Sequence, residues 1–237
     1  MPGLLGRDAE PAAESAGRFS EVFAPDPPGI RETPAPKERV TMEFLRHWTG
    51  DLHTEVIGLR KASLLGFSAG ATTLAHYAAT HPGAVERLVL FEPVIRGREL
   101  PWWLRTFIRM TAVPGATYAI LKGAPHLLPF LRGVNQVGYE KRFRLVEGVS
   151  SPRAAGEIAR SLLRWDAQAE IESLDVPTLI IRGTSSGELV PRESLQNLKS
   201  RHISHLEIPG LGHLLGAKGQ IQVVEAARDF LKPSRIV

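Results

Sequence analysis

The chain has 237 residues, 43% of them apolar and 23% charged, with a formal net charge of +4. Those figures describe an ordinary soluble globular protein, long enough for one large α/β domain or two small ones. It contains no cysteine, which excludes disulfides, thiolate catalysis and cysteine-ligated zinc. No apolar run approaches a membrane span, and the N-terminus lacks the basic segment and apolar run of a secretory signal. The expected location is therefore cytoplasmic, with no membrane partner.

The positive charge is unevenly placed. Between residues 94 and 174 twelve Lys and Arg stand against seven Asp and Glu, which accounts for the whole excess. This is read as a solvated helical face rather than an anion-binding surface. No zinc-ligand spacing, aromatic RNA-binding run or phosphate-binding glycine loop accompanies it, so no nucleic-acid partner is expected.

In chain order, a Gly-rich opening leads into a helix over residues 8–17, rich in Ala and Glu. Phe19 to Ala24 reads as a short strand running into Pro25-Asp26-Pro27-Pro28-Gly29, a loop sequence. After a proline-containing loop, Phe44, Leu45, Trp48, Leu52, Val56 and Leu59 recur at helical spacing across residues 42–59. Ala62 to Leu65 is a buried strand, and Ala69 to Thr80 a helix of small residues ended by His81-Pro82-Gly83. Leu88 to Phe91 is the next strand, followed by Glu92-Pro93. Strand, helix and strand in this order make a right-handed parallel unit whose strands are covered on both faces.

Residues 94–174 change character, with Arg-, Trp- and Leu-rich helical patches broken by prolines and glycines. They read as an inserted bundle of short helices between two parts of a core, 1–93 and 175–237. Pattern resumes with a strand at Val176 to Gly183, a helix at 191–200, a strand at His202 to Ile208, a turn at Pro209 to His213 and a closing helix at Gln220 to Leu231. The expected fold class is α/β, a mostly parallel sheet with helices on both faces.

Gly66-Phe67-Ser68-Ala69-Gly70 fits G-x-S-x-G, in which a serine sits on a strained strand-to-helix turn with its hydroxyl exposed. A chain of this composition contains roughly 0.1 such matches by chance, so context decides. Four other landmarks occur in order around it: Phe23 to Gly29, Val89 to Pro93, Pro177 to Gly183, and Gly210-Leu211-Gly212-His213. Together they resemble the α/β-hydrolase family over nearly the whole chain. The insertion at 94–174 lies where that family carries its cap.

A serine hydroxyl needs an imidazole to take its proton, and the imidazole needs an acid to fix its tautomer. Ser68 is the candidate nucleophile, with a helix N-cap serine as the alternative. Of the eight histidines, only His213 follows the last strand on a Gly-rich loop, so it is the candidate base. The family usually places the acid after the penultimate strand, near Ser185-Ser186, where neither residue is a carboxylate. Two candidates remain: Glu92, leaving the strand next to the serine turn, and Glu188 as the alternative. The resemblance further implies an oxyanion hole from the backbone N–H groups of Ala69 and Leu4, since Pro2-Gly3-Leu4-Leu5 resembles the family's oxyanion loop. Phe67, Trp102, Trp103 and Phe107 are candidate substrate-pocket residues.

The family's first strands precede that loop, whereas this sequence starts at it. An exposed sheet edge, and a homodimer through that edge, are the expectation. The implied function is a serine hydrolase acting on a small, mainly apolar ester, with no metal or organic cofactor. The alternative is a catalytically silent relative.

Overall fold

Near-continuous apolar runs become the strands of a parallel sheet. The computed structural model describes residues 10–18, 21–58, 60–113, 115–127, 148–185, 190–213 and 215–231. Leu4 and Glu188 lie outside them. In chain order come α1 (Glu10–Gly17), α2 (Met42–Leu52) with a π-helical turn (His53–Ile57), β1 (Ala62–Phe67), α3 (Ala69–Thr80) and β2 (Val85–Phe91). The helices α4 (Trp102–Met110), α5 (Ala116–Leu127), α6 (Pro152–Leu163) and α7 (Gln168–Glu172) follow. The chain then forms β3 (Thr178–Gly183), α8 (Arg192–Gln196), β4 (Ile203–Ile208) and α9 (Ala217–Leu231).

The four strands lie in the order β1-β2-β3-β4, all parallel. Register pairs Phe67 with Phe91, Phe91 with Ile181, and Gly183 with Ile208. Successive side chains point to opposite faces. Leu88, Leu90 and Ile180 therefore pack with α3, α7 and α8 on one side. Val89, Phe91, Leu179 and Ile181 pack with Val223 and Ala227 of α9 on the other. Burying a side chain the size of Leu90 or Phe91 contributes about 1.5–3 kcal/mol, and these interior strands hold the frame. Among the described residues β1 pairs only with β2 and β4 only with β3, so the outer edges of both strands are open.

A third cluster joins Met42 and Leu45 of α2, Ile108 of α4, and Ala154, Ile158 and Leu162 of α6 to Ala69. The inserted helices are thus seated on the first residue of α3. Their neck is narrow: Gly97 donates to the Trp165 carbonyl at 2.9 Å. A Cβ on Gly97 would stand 2.1 Å from the Leu162 carbonyl oxygen, so only glycine allows that approach.

Away from the strand ends, α2, α3 and α7 meet at the buried His76. Its Nε2 lies 2.8 Å from Glu43 Oε2 and its Nδ1 lies 2.9 Å from Glu170 Oε1. The Glu170 contact lacks hydrogen-bond alignment, so it is a close approach rather than a second hydrogen bond. Hydrogen bonding from the Arg46 guanidinium, and then from His76, lowers the Glu43 carboxyl from 4.5 to about 2.

Two expectations need correction. Residues 21–24 hold no strand: Phe23 is exposed, and the run leads directly into Pro25, which has no N–H for a ladder. The helix expected over 191–200 spans only Arg192–Gln196, and Asn197 already sits at its C-cap.

Candidate active site

Because all four strands are parallel, their C-terminal ends share one edge of the sheet, the usual location of sites in such folds. Ser68 follows β1 directly and adopts φ 51, ψ −122. This conformation is sparsely populated for a residue with a side chain and costs about 1–3 kcal/mol. The turn is held by a 2.9 Å hydrogen bond from the Ser68 N–H to the Phe91 carbonyl of β2. Gly66 makes the reversal fit, since a Cβ there would lie 2.7 Å from Ala71 Cα.

Although Ser68 occupies the N-cap position of α3, its side chain makes no capping bond. The hydroxyl instead lies 3.0 Å from His213 Nε2. His213 Nδ1 lies 2.5 Å from Glu92 Oε2. An ionised carboxylate only accepts, so Nδ1–H donates to Glu92 and Nε2 is left to accept the serine proton.

Glu92 is fully buried, with a φ of 46 on a non-glycine residue. Its backbone N–H donates to the Ile181 carbonyl at 2.9 Å, and its Oε1 accepts from the Gly183 N–H at 2.9 Å. Both carboxylate oxygens are thereby directed, one by β3 and one by the histidine. The loop carrying His213 is fastened to β3 as well. Ser185 N–H donates to the Leu211 carbonyl at 2.9 Å, and Gly210 N–H to Thr184 Oγ1 at 2.9 Å. A Cβ on Gly183 would sit 2.2 Å from the Leu211 carbonyl oxygen, so the end of β3 and this loop approach backbone to backbone at that point.

Thr72 supplies a brace that sequence reading missed. It lies one helical turn beyond Ser68 and is fully buried. Its Oγ1 accepts from the Val94 N–H at 2.9 Å and approaches the Val94 carbonyl at 3.1 Å. The segment leaving Glu92 is thus tied to the helix leaving Ser68. Its i+4 spacing from the serine was the available signal; its partner, 22 residues on, was not.

The other candidates are placed less centrally. Ala69 N–H is the first of α3, where helix geometry provides no internal acceptor and the N-terminus favours developing negative charge. Phe67 turns to the α9 side, its ring 5.7 Å from that of Phe91, and belongs to the core there. Trp102 is 71% exposed, on the side of α4 opposite the partly buried Leu104 and the buried Ile108. Of the four pocket candidates, Phe67 thus lies in the core on the α9 side and Trp102 in solvent. Trp103 and Phe107 are half-buried on the flanks of α4.

A serine on a strained turn, with a histidine and a buried carboxylate at neighbouring strand ends, defines a recognisable class. The family model for the alpha/beta hydrolase fold matches residues 11–219, and the chain belongs to that family. No curated protein sequence matches it. Among solved structures it is similar to a thermophilic esterase from Thermogutta terrifontis, at 20% identity and TM-score 0.77, covering 96% of this chain and 85% of that one. It is also similar to an esterase from Exiguobacterium antarcticum, at 16% identity and TM-score 0.78, covering 97% and 88%. A monoacylglycerol lipase from Paleococcus ferrophilus matches at 22% identity and TM-score 0.67, covering 95% and 90%.

Proposed function

We propose that the protein is a serine hydrolase of small, mainly apolar esters. The observation that carries this reading is the row from Ser68 Oγ through the His213 imidazole to Glu92, at 3.0 Å and 2.5 Å. Ser68 Oγ attacks the ester carbonyl carbon while His213 Nε2 takes its proton. The resulting imidazolium returns that proton to the leaving alkoxide, so the C–O bond breaks to give an acyl-enzyme and a free alcohol. Water, deprotonated by the same nitrogen, then releases the acid. Glu92 fixes the tautomer and stabilises the imidazolium. Ala69 N–H lies on the residue after the nucleophile, where one donor to the carbonyl oxygen is needed, and Leu4 is the proposed second donor.

In the same reading residues 94–174 are a cap over a core of 1–93 and 175–237, with Trp103 and Phe107 as the remaining pocket candidates. No cofactor takes part. Two copies pairing through the β1 edge is the oligomeric form that reading implies.

The test is labelling with a serine-directed fluorophosphonate, together with hydrolysis of short p-nitrophenyl esters. Wild type is expected to label and turn over, and Ser68→Ala to do neither. Wild type labelling no faster than Ser68→Ala would overturn the proposal in favour of a catalytically silent relative.

A further inference from the structure

The inserted helices present an outward face that neither the core nor the proposed chemistry uses. On α4 the exposed positions are 102, 106, 109 and 110, a single stripe at helical spacing, opposite the partly buried Leu104 and the buried Ile108. The stripe carries Trp102, 71% exposed, and Met110, 53% exposed. It continues through Val113, 60% exposed, to Tyr118 on α5, 54% exposed. Scattered single apolar residues on a surface need no explanation, but four large ones within 17 residues of one helical hairpin do.

Both helices pack on α6, so the sides turned away from α6 are both outward. The turn between them is fixed there: Arg160 Nη1 donates to the Thr111 carbonyl at 2.6 Å and contacts its Oγ1 at 2.7 Å. Gly156 allows that approach, since a Cβ would stand 2.8 Å from Thr117 Oγ1. The exposed stripe is therefore held on a braced hairpin.

Its charge has one sign. The sequence has no acidic residue between Glu99 and Glu140. Arg109 and Lys122 are exposed on this face, without a carboxylate partner among the described residues. Lys122 Nζ lies 4.7 Å from the centre of the Tyr118 ring, over an aromatic rather than an acid. Glu99, just before α4, and Glu157, on α6, are engaged elsewhere, Glu99 with Arg96 and Ser194, and Glu157 with Arg153 and the Val40 N–H.

Trp, Met and Tyr side by side with Arg and Lys, on a helix surface whose opposite face is buried, is the composition of an interfacial amphipathic element. The apolar tips enter the headgroup boundary while the long cations reach anionic headgroups. Against the expectation of a solvated face with no membrane partner, we propose that the α4–α5 face docks on an anionic lipid surface. No spanning helix is required for this, and the described residues contain none. Nucleic acid is the other polyanion such cations meet, but Met110 and Val113 at the centre of the face have no role against a phosphate backbone.

The experiment is co-sedimentation of the full chain with phosphatidylcholine vesicles, with and without phosphatidylglycerol, at low and high salt. Tryptophan emission is recorded alongside. Phosphatidylglycerol is expected to raise affinity about tenfold or more, with loss at high salt. Emission is expected to shift to the blue, and Trp102→Phe to abolish that shift. Trp102→Ser with Met110→Ser, and separately Arg109→Gln with Lys122→Gln, are each expected to weaken binding severalfold. These four side chains are exposed, so melting temperature and Ser68 labelling should stay at wild-type values. Equal binding to both vesicle types would overturn the proposal, as would variants that bind like wild type. Retention on duplex DNA unaffected by Trp102→Ser with Met110→Ser, without vesicle binding, would assign the face to nucleic acid instead.

Discussion

Replacing Glu92 by Gln tests the proposed site at its most constrained point. Glu92 accepts two N–H donors from opposite directions, His213 Nδ1 on Oε2 and Gly183 N on Oε1. A glutamine carries one acceptor oxygen and one donor NH2, so it satisfies one neighbour and opposes the other. If the oxygen turns to Gly183, its NH2 confronts Nδ1 and favours the tautomer with the proton on Nε2, which cannot accept from Ser68. If it turns to His213, a buried N–H of β3 is left facing another donor. The stability cost is that of one unsatisfied buried group, about 1–3 kcal/mol. At about 2–4 °C per kcal/mol for a chain of this size, the protein still folds at room temperature. The catalytic cost is larger, about 10³–10⁴-fold in kcat, or about 4–5.5 kcal/mol. Ester turnover and fluorophosphonate labelling, each paired with a melting curve, separate the two effects. Glu92→Gln retaining more than about a tenth of wild-type kcat, while Ser68→Ala is silent, would refute the assignment of the acid. Glu188→Gln in the same assay is expected to behave as wild type.

Thr72→Val keeps the shape of the side chain but removes the oxygen bonded to Val94. We expect a loss of about 1–3 kcal/mol in a thermal or urea melt, a lower kcat at unchanged KM, and rescue of both by Thr72→Ser. Gly183→Ala places a methyl group against the Leu211 carbonyl, where the neighbour is backbone and has nowhere to go. It should cost about 1–3 kcal/mol and slow labelling of Ser68, because the His213 loop must move. At Glu43 the folded carboxyl is lowered to about 2, so its contribution is present above the unfolded value and lost as pH falls toward 2. The side chain is half exposed and screened, which limits that contribution to below about 1 kcal/mol. Glu43→Gln should reduce stability at pH 6–7 and flatten the acid limb of a stability–pH curve; an unchanged slope would contradict the Arg46 and His76 contacts as its cause.

The parts of the site legible in the sequence are those written locally. Gly66 to Gly70 specifies a turn within five residues, and the apolar runs ending at Phe67, Phe91 and Gly183 specify parallel strands. Parallel strands in turn oblige Ser68, Glu92 and His213 to meet at one edge. Glu92 could be weighed against Glu188 because it leaves the strand adjacent to the serine turn. Contacts between distant segments were not legible. Nothing near Thr72 announces Val94, and nothing near Gly183 announces both Glu92 and Leu211. The outward face of α4 shows the same limit. Trp102 and Met110 on one side, and Leu104 and Ile108 on the other, are comparably apolar, and only packing on α6 decides which pair is buried. Residues 21–24 failed as a strand because alternation supplies a pattern but not a partner.

The position of Glu92, the proposed acid, ties the geometry of the proposed site to paired strand ends. A carboxylate on the β3 loop would depend on the conformation of residues 184–190. Glu92 instead leaves a strand paired on both sides, with Phe91 between Phe67 and Ile181. The spacing from Ser68 to Glu92 is therefore the spacing of two paired strand ends. The acid's second oxygen is fixed by the last residue of the next strand, and the histidine loop is bonded to that same strand end. Sheet register becomes the determinant of the proposed triad: a slip of one residue in β2 would turn Glu92 to the opposite face and take its carboxylate from both partners. Packing that enforces register, above all Val89 and Phe91 against α9 with Leu88 and Leu90 against α3, belongs to the same machinery as the three polar side chains. Cavity-forming changes at Phe91 should accordingly reduce turnover beyond what the loss of folded protein accounts for.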